Sequence, residues 1–216
     1  MPPASLTRAL LLQGVEALVE RDRRLGAVVE QFGPPPLFAR PRGFSTLVWI
    51  VLEQQVSLAS AAALFGKLKA VAGGAVTPEA VAALGTEGLL GLGFTRQKAR
   101  YVSGLAERIA TGELSLSRIA TLEDAEAERA LLQVPGIGPW TAGVYLLMAL
   151  RRPDVWPPGD LGLHKSLAEV RCLRHVPSSA AAATYALRWR PWRSVAARLL
   201  WHAYLSRRRK PPWGMP

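Results

Sequence analysis

Cysteine is almost missing from this chain of 216 residues: Cys172 stands alone. A single thiol excludes an intrachain disulfide, a cysteine-based zinc site and an iron–sulfur cluster, and it is compatible with a reducing compartment. Histidine is nearly as scarce, and His164, His175 and His202 do not have the spacing of metal ligands. No apolar run is long and uninterrupted enough to cross a bilayer, and no leader of the basic–apolar–small type precedes Ser5. The expectation is a soluble, intracellular (cytoplasmic) protein with no membrane partner. Strict apolar–polar alternation is also missing and no segment repeats, so nothing requires a sheet. Acids are in the minority: 16 Asp and Glu face 27 Lys and Arg, a formal net charge of +11. That balance says little about fold but favours a polyanionic partner. Nucleic acid fits better than a membrane surface, because no helix gathers the positive charge opposite a clean apolar face.

Half the residues are apolar, enough for one large domain or two small ones. The spacing predicts helices over 5–20, with Ser5 as cap, and over 22–31, ending at Gly33. Pro34-Pro35-Pro36 then forms an extended connector and a first candidate boundary. Residues 44–55 leave almost no polar face, which marks a buried helix. Ser57 caps a helix over 58–71, closed by Gly73-Gly74, and two short helices follow, 78–84 and 87–90. Thr95 caps a helix to about Thr111 whose first turns carry Arg96, Lys98 and Arg100. Cations there oppose the helix dipole, so they need a phosphate or a structural acid as partner. Further helices are predicted over 121–132, 139–150, 161–174, 179–188 and 192–206, before a basic tail, Arg207-Arg208-Arg209-Lys210. The fold class is all-α.

Two short stretches carry the chemistry. In Leu132-Gln133-Val134-Pro135-Gly136-Ile137-Gly138-Pro139-Trp140-Thr141-Ala142, Pro135 stops one helix and Pro139 sits where the next can begin. Gly136 and Gly138 permit positive φ and keep the outer face of the turn bare. Backbone amides at a helix N-terminus make an anion site, and in a basic protein the favoured anion is phosphate. Asp160 stands twenty residues after Trp140, behind Pro157-Pro158-Gly159. An Asp at that place is an ordinary helix N-cap. It is also a carboxylate able to stabilise positive charge on a sugar and to take a proton from water. One residue can do both.

The pairing of this hairpin with this acid resembles the helix-hairpin-helix DNA glycosylase superfamily, and within it the DNA-3-methyladenine glycosylase II type. Three further stretches agree: Ile50-Val51-Leu52-Glu53-Gln54-Gln55-Val56-Ser57, Gly93-Phe94-Thr95-Arg96-Gln97-Lys98-Ala99 and Arg190-Pro191-Trp192-Arg193-Ser194. The resemblance covers about residues 44–205. Longer members carry an N-terminal β-rich domain; here only helical segments precede the matching part, so a compact form is expected.

The resemblance implies a monofunctional base-excision enzyme that flips an alkylated purine, of 3-methyladenine or 7-methylguanine type, out of double-stranded DNA and hydrolyses its N-glycosidic bond. Asp160 would be catalytic. Trp140 stands where bifunctional members have a Schiff-base lysine, so no lyase step is implied. Trp140 and Trp201 match positions lining the base pocket, where indole faces attract a cationic base by about 0.5–2 kcal/mol each. Trp49, Trp156 and Trp189 read as core. Gln55 matches the side chain wedged into the gap left by the flipped nucleotide. Gly136, Ile137, Gly138 and Thr141 match hairpin contacts to DNA; Lys165, read from its place just after Asp160, is either a phosphate contact or a solvated lysine. The carbonyls of Leu132, Val134 and Ile137 match a site for Na+ or K+; no other cofactor is implied. His202, next to Trp201, could edge the pocket. The resemblance divides the chain into 1–43 with 153–216, and 44–152, the second holding the hairpin at about 122–150, with a DNA-binding cleft between; a monomer is expected. Two other readings fit the same motifs: a glycosylase for other damaged purines, and a non-catalytic binder of damaged DNA.

Overall fold

The structure is a computed structural model that describes residues 4–208. Arg209 and Lys210 of the basic tail lie outside the described residues. Twelve α-helices and one 3-10 turn form the regular structure, and the described residues contain no strand. The fold is all-α. No described helix is long and apolar enough to cross a membrane.

Two compact units divide the chain. The first is Arg40–Tyr145. It contains α3 (Phe44–Glu53), α4 (Leu58–Val71), α5 (Pro78–Gly91), α6 (Arg96–Ala110), α7 (Leu116–Ile119), α8 (Asp124–Leu132) and most of α9 (Pro139–Met148). Its centre is α3, whose residues 46–53 are all buried, as its lack of a polar face predicts; α4 and α6 pack on it. The second unit joins Ala4–Ala39 to the described residues from Leu146 to Arg208. It contains α1 (Arg8–Arg21), α2 (Arg23–Phe32), α10 (Leu161–Arg171), α11 (Ser179–Ala186), the turn Leu187–Trp189 and α12 (Arg193–Arg207). Here α12 is the central element, with α10, α2 and α1 against it.

The units divide before Arg40 and after Tyr145, not at 43/44 and 152/153. Arg40 belongs with the first because its guanidinium is buried in a two-pronged ion pair with Glu53, at 2.9 and 2.7 Å. Trp49 Nε1 donates to the same carboxylate at 2.7 Å. Residues after 145 belong with the second because their carbonyls are taken there. Ser5 Oγ donates to Leu150 O, Leu6 N to Arg151 O and Arg198 Nη2 to Leu147 O.

Several predicted boundaries move. The first helix begins at Arg8 with Thr7 as its cap, because Ser5 is committed to Leu150. The expected pair of short helices, 78–84 and 87–90, is present within α5: Gly85, at φ +60 and ψ −178, separates them. The predicted 121–132 helix starts only at Asp124, and the four-residue α7 was not foreseen. Trp49, Trp156 and Trp189 are buried, as expected. Asp22, a cap for α2, also receives Trp189 Nε1 at 2.9 Å and pairs with Arg171.

Candidate active site

Asp160 sits at the N-cap of α10, in the second unit, with extended φ/ψ. The chain reaches it through Gly159 at φ +76, a conformation that strains any residue with a Cβ. Asp160 is only 6% exposed. Its Oδ1 accepts two hydrogen bonds, from Leu163 N at 2.8 Å and from Trp201 Nε1 at 3.1 Å. The cap reading and the site reading therefore hold together: the helix terminus fixes the carboxylate from below and an indole fixes it from the side. Gly162 leaves the space for this. A Cβ there would come to 3.2 Å from Oδ1 and 3.8 Å from the Trp201 ring.

Trp201 is held in place by the packing of α12 on α10. Ser166 Oγ donates to Leu200 O at 2.7 Å, one residue before the indole. Below it, Arg198 is fully buried without an acid partner and donates to the carbonyls of Leu37, Leu147 and Ser194. Leu147 lies in the last turn of α9, so the cation completes a helix terminus. Burial still pushes the Arg198 guanidinium down to about 9. Trp201 itself is 1% exposed. Its indole N–H donates to Asp160, so the ring supports the carboxylate. His164, one helical turn after Asp160, is also buried, and its Nε2 has no hydrogen-bond partner. Burial lowers its pKa, and the Asp160 charge opposes that only in part. The imidazole is neutral at pH 7. His202 Nε2 pairs with Phe32 O at 2.9 Å. Lys165 is half-buried on α10.

The hairpin lies in the first unit, between α8 and α9. Pro139 is the first residue of α9, as predicted. Gly136 has φ +89, and a Cβ there would run into the Tyr101 side chain of α6, meeting Tyr101 Cβ at 2.7 Å. Glycine is therefore required twice over, by backbone and by close approach. Gly138 differs from expectation: it does not use a positive φ, and a Cβ on it would meet nothing within 4 Å. What glycine supplies there is a bare outer surface. Ile137 is buried and its N–H donates to Val134 O at 3.0 Å, so its amide is directed inward. Thr141 is 1% exposed and Leu132 is exposed. Trp140 is half-buried. Among the described residues no group of three or more His, Cys, Asp or Glu could hold a metal ion.

Gln55 follows the C-cap of α3 and is exposed, with the left-handed φ of +58. Gln54, to which the sequence assigns no role, and Lys98 hold this bend. Gln54 Nε2 donates to Gly136 O and to Thr141 Oγ1, each at 2.9 Å. Lys98 Nζ donates to Leu52 O at 2.7 Å and Gln54 O at 3.0 Å. This supplies the missing partner of the cation at the start of α6. It is neither phosphate nor acid but the carbonyl terminus of α3, the negative end of that helix. A polar residue directly before an exposed one, in Glu53-Gln54-Gln55, was the only sequence signal for Gln54.

Comparison with known proteins agrees with this arrangement. The family model described as HhH-GPD superfamily base excision DNA repair protein matches residues 48–193. A DNA-3-methyladenine glycosylase of Bacillus subtilis is 31% identical over 172 residues, 74% of this chain and 57% of the relative. DNA-3-methyladenine glycosylase 1 of Schizosaccharomyces pombe is 28% identical over 201 residues, 91% of this chain and 87% of the relative. The crystal structure of a DNA-3-methyladenine glycosidase from Bacillus halodurans superposes with a TM-score of 0.76 at 28% identity, covering 91% of each chain. The chain thus spans little more than half the length of the Bacillus subtilis relative. With the matched segment running from α3 through the hairpin and Asp160 to the start of α12, the chain belongs to the HhH-GPD superfamily of base excision DNA repair proteins.

Proposed function

We propose that this protein is a monofunctional DNA glycosylase that removes alkylated purines, of the 3-methyladenine and 7-methylguanine type, from double-stranded DNA. The observation that carries the reading is the buried Asp160 carboxylate, oriented by Leu163 N–H and the Trp201 indole. Family membership and the names of the relatives support it.

The chemistry follows from the substrate. A purine methylated at N3 or N7 in DNA is cationic, so it departs as a neutral base when the bond from C1′ to the ring nitrogen breaks. Positive charge then builds on the sugar. Asp160 stabilises that charge electrostatically and accepts a proton as water adds to C1′. Trp201 fixes the carboxylate. Trp140 offers an indole face to the cationic base and, having no amine, forms no Schiff base. Gln55 fills the gap left by the flipped nucleotide. The Gly136–Gly138 backbone and the start of α9 hold the strand through phosphate, with Thr141 positioning the turn from inside and Lys165 adding charge. The carbonyls of Leu132, Val134 and Ile137 would supply oxygen ligands of the kind a hard cation takes, and Leu132 ends α8, where carbonyls lack intrahelical partners. A bound Na+ or K+ there would extend the phosphate contact. The protein acts as a monomer.

Asp160→Asn tests the reading. On randomly methylated DNA the variant is expected to release 3-methyladenine at least ~100-fold more slowly, while its affinity for the same DNA stays within about threefold of wild type. Near wild-type release by the Asn variant would overturn it.

A further inference from the structure

We infer that Gln54 is a positioning residue for strand opening, coupling the Gln55 plug to the strand-binding hairpin. This rests on the proposed roles of Gln55 and the hairpin.

Gln55 holds a left-handed backbone conformation that is costly for a residue with a Cβ. Such a conformation persists only where its surroundings fix it. Here the fixing groups are identifiable and come from one unit. Upstream, the Lys98 ammonium grips the carbonyls of Leu52 and Gln54. From Gln54 itself, both amide hydrogens reach across 82 and 87 positions of sequence to Gly136 O and Thr141 Oγ1. Gly136 O is acceptor-only, so the amide cannot be reversed without losing that bond. Gly136 is also the residue at which the hairpin turn packs on Tyr101. One side chain therefore ties the plug's backbone to the turn that would hold the strand.

This linkage has a functional consequence. A plug must enter the helix at a fixed distance from the phosphates that the hairpin grips. A flexible tip would lose rate through misplacement, even with every contacting group intact. Lys98 stabilises the same bend by neutralising the carbonyl end of α3. Desolvation lowers its pKa, so its burial between α3 and α6 carries a cost that its two hydrogen bonds offset.

The test reads plug insertion apart from base release. A duplex carries a tetrahydrofuran abasic analogue with 2-aminopurine opposite it, and fluorescence reports unstacking when protein binds. Wild type is expected to give a clear rise. Gln54→Ala is expected to lose most of it at saturating protein, with Kd within about threefold of wild type. Lys98→Met should give a smaller loss in the same direction. The double variant Gln54→Ala with Gln55→Ala should match Gln55→Ala alone, because one residue acts through the other. On DNA carrying 7-methylguanine, Gln54→Ala should slow single-turnover release about tenfold when the lesion is paired. When the lesion lies in an unpaired bubble, the rate should stay within about threefold. A full fluorescence rise in Gln54→Ala, an additive double variant, or equal slowing on paired and bubble substrates would overturn the inference. Absence of base release by wild type, with the fluorescence pattern intact, would instead overturn the glycosylase reading.

Discussion

Replacing Trp201 by Phe separates two roles that an active-site tryptophan can have. Phe keeps an aromatic face and removes the indole N–H that donates to Asp160 Oδ1 at 3.1 Å. If Trp201 served by stacking on the base, the change would be small. The structure leads to the opposite expectation, since the ring is buried and the N–H donates to Oδ1 alongside Leu163 N. A hydrogen bond to a charged group contributes about 1.5–3 kcal/mol. With about 1.4 kcal/mol per tenfold in rate, losing it should slow single-turnover base release by roughly 10- to 150-fold. Affinity for abasic DNA should hold, because no strand contact is removed. Phe also leaves a small void between α10 and α12, which should lower stability by about 1–2 kcal/mol. The assay is therefore run at 25 °C, below the melting transition of the variant. Release by Trp201→Phe within about twofold of wild type would refute the assignment of the indole as the group that orients Asp160.

Two further substitutions test the scaffold. Gly136→Ala combines a left-handed φ with a Cβ in the Tyr101 side chain, so unfolding free energy should fall by about 2–4 kcal/mol and binding of abasic duplex should weaken with it; unchanged melting would show that the turn relaxes without cost. His164 has its pKa lowered by burial from 6.5, so the unfolded chain binds the proton more readily than the folded one. Stability contributed by the neutral ring is then full above 6.5 and is lost as pH falls below it towards the folded value. Urea melts between pH 7.5 and 5 should show this decline, and His164→Gln should flatten it; the same slope in both proteins would place the titration elsewhere.

Much of the fold could be read along the chain because its signals are local. Thr95, Ser57 and Pro139 lie where helices start, and each acts through groups within one turn. The buried character of α3 follows from its composition alone. The errors arose where a local signal competes with a distant partner. Ser5 is a good cap in isolation, but Leu150 O takes its hydroxyl. Lys98 at a helix start reads as the partner of a phosphate or a structural acid, but the end of α3 lies beside it. His202 follows a site tryptophan, yet one helical face turns it to Phe32.

The sequence by itself determined the all-α class, the hairpin turn and the place of Asp160 at a helix N-cap. A proline–glycine turn and a capped helix are written in consecutive residues, and no tertiary contact is needed to specify them. Tertiary structure alone decided what those residues do for one another. It gave Asp160 its indole donor from α12, and it brought Gln54 and Lys98 to the bend at Gln55. These partners lie 41 to 87 positions apart. Spacing along a helix says which face a residue occupies, whereas which atom waits across that face is fixed only when the helices pack.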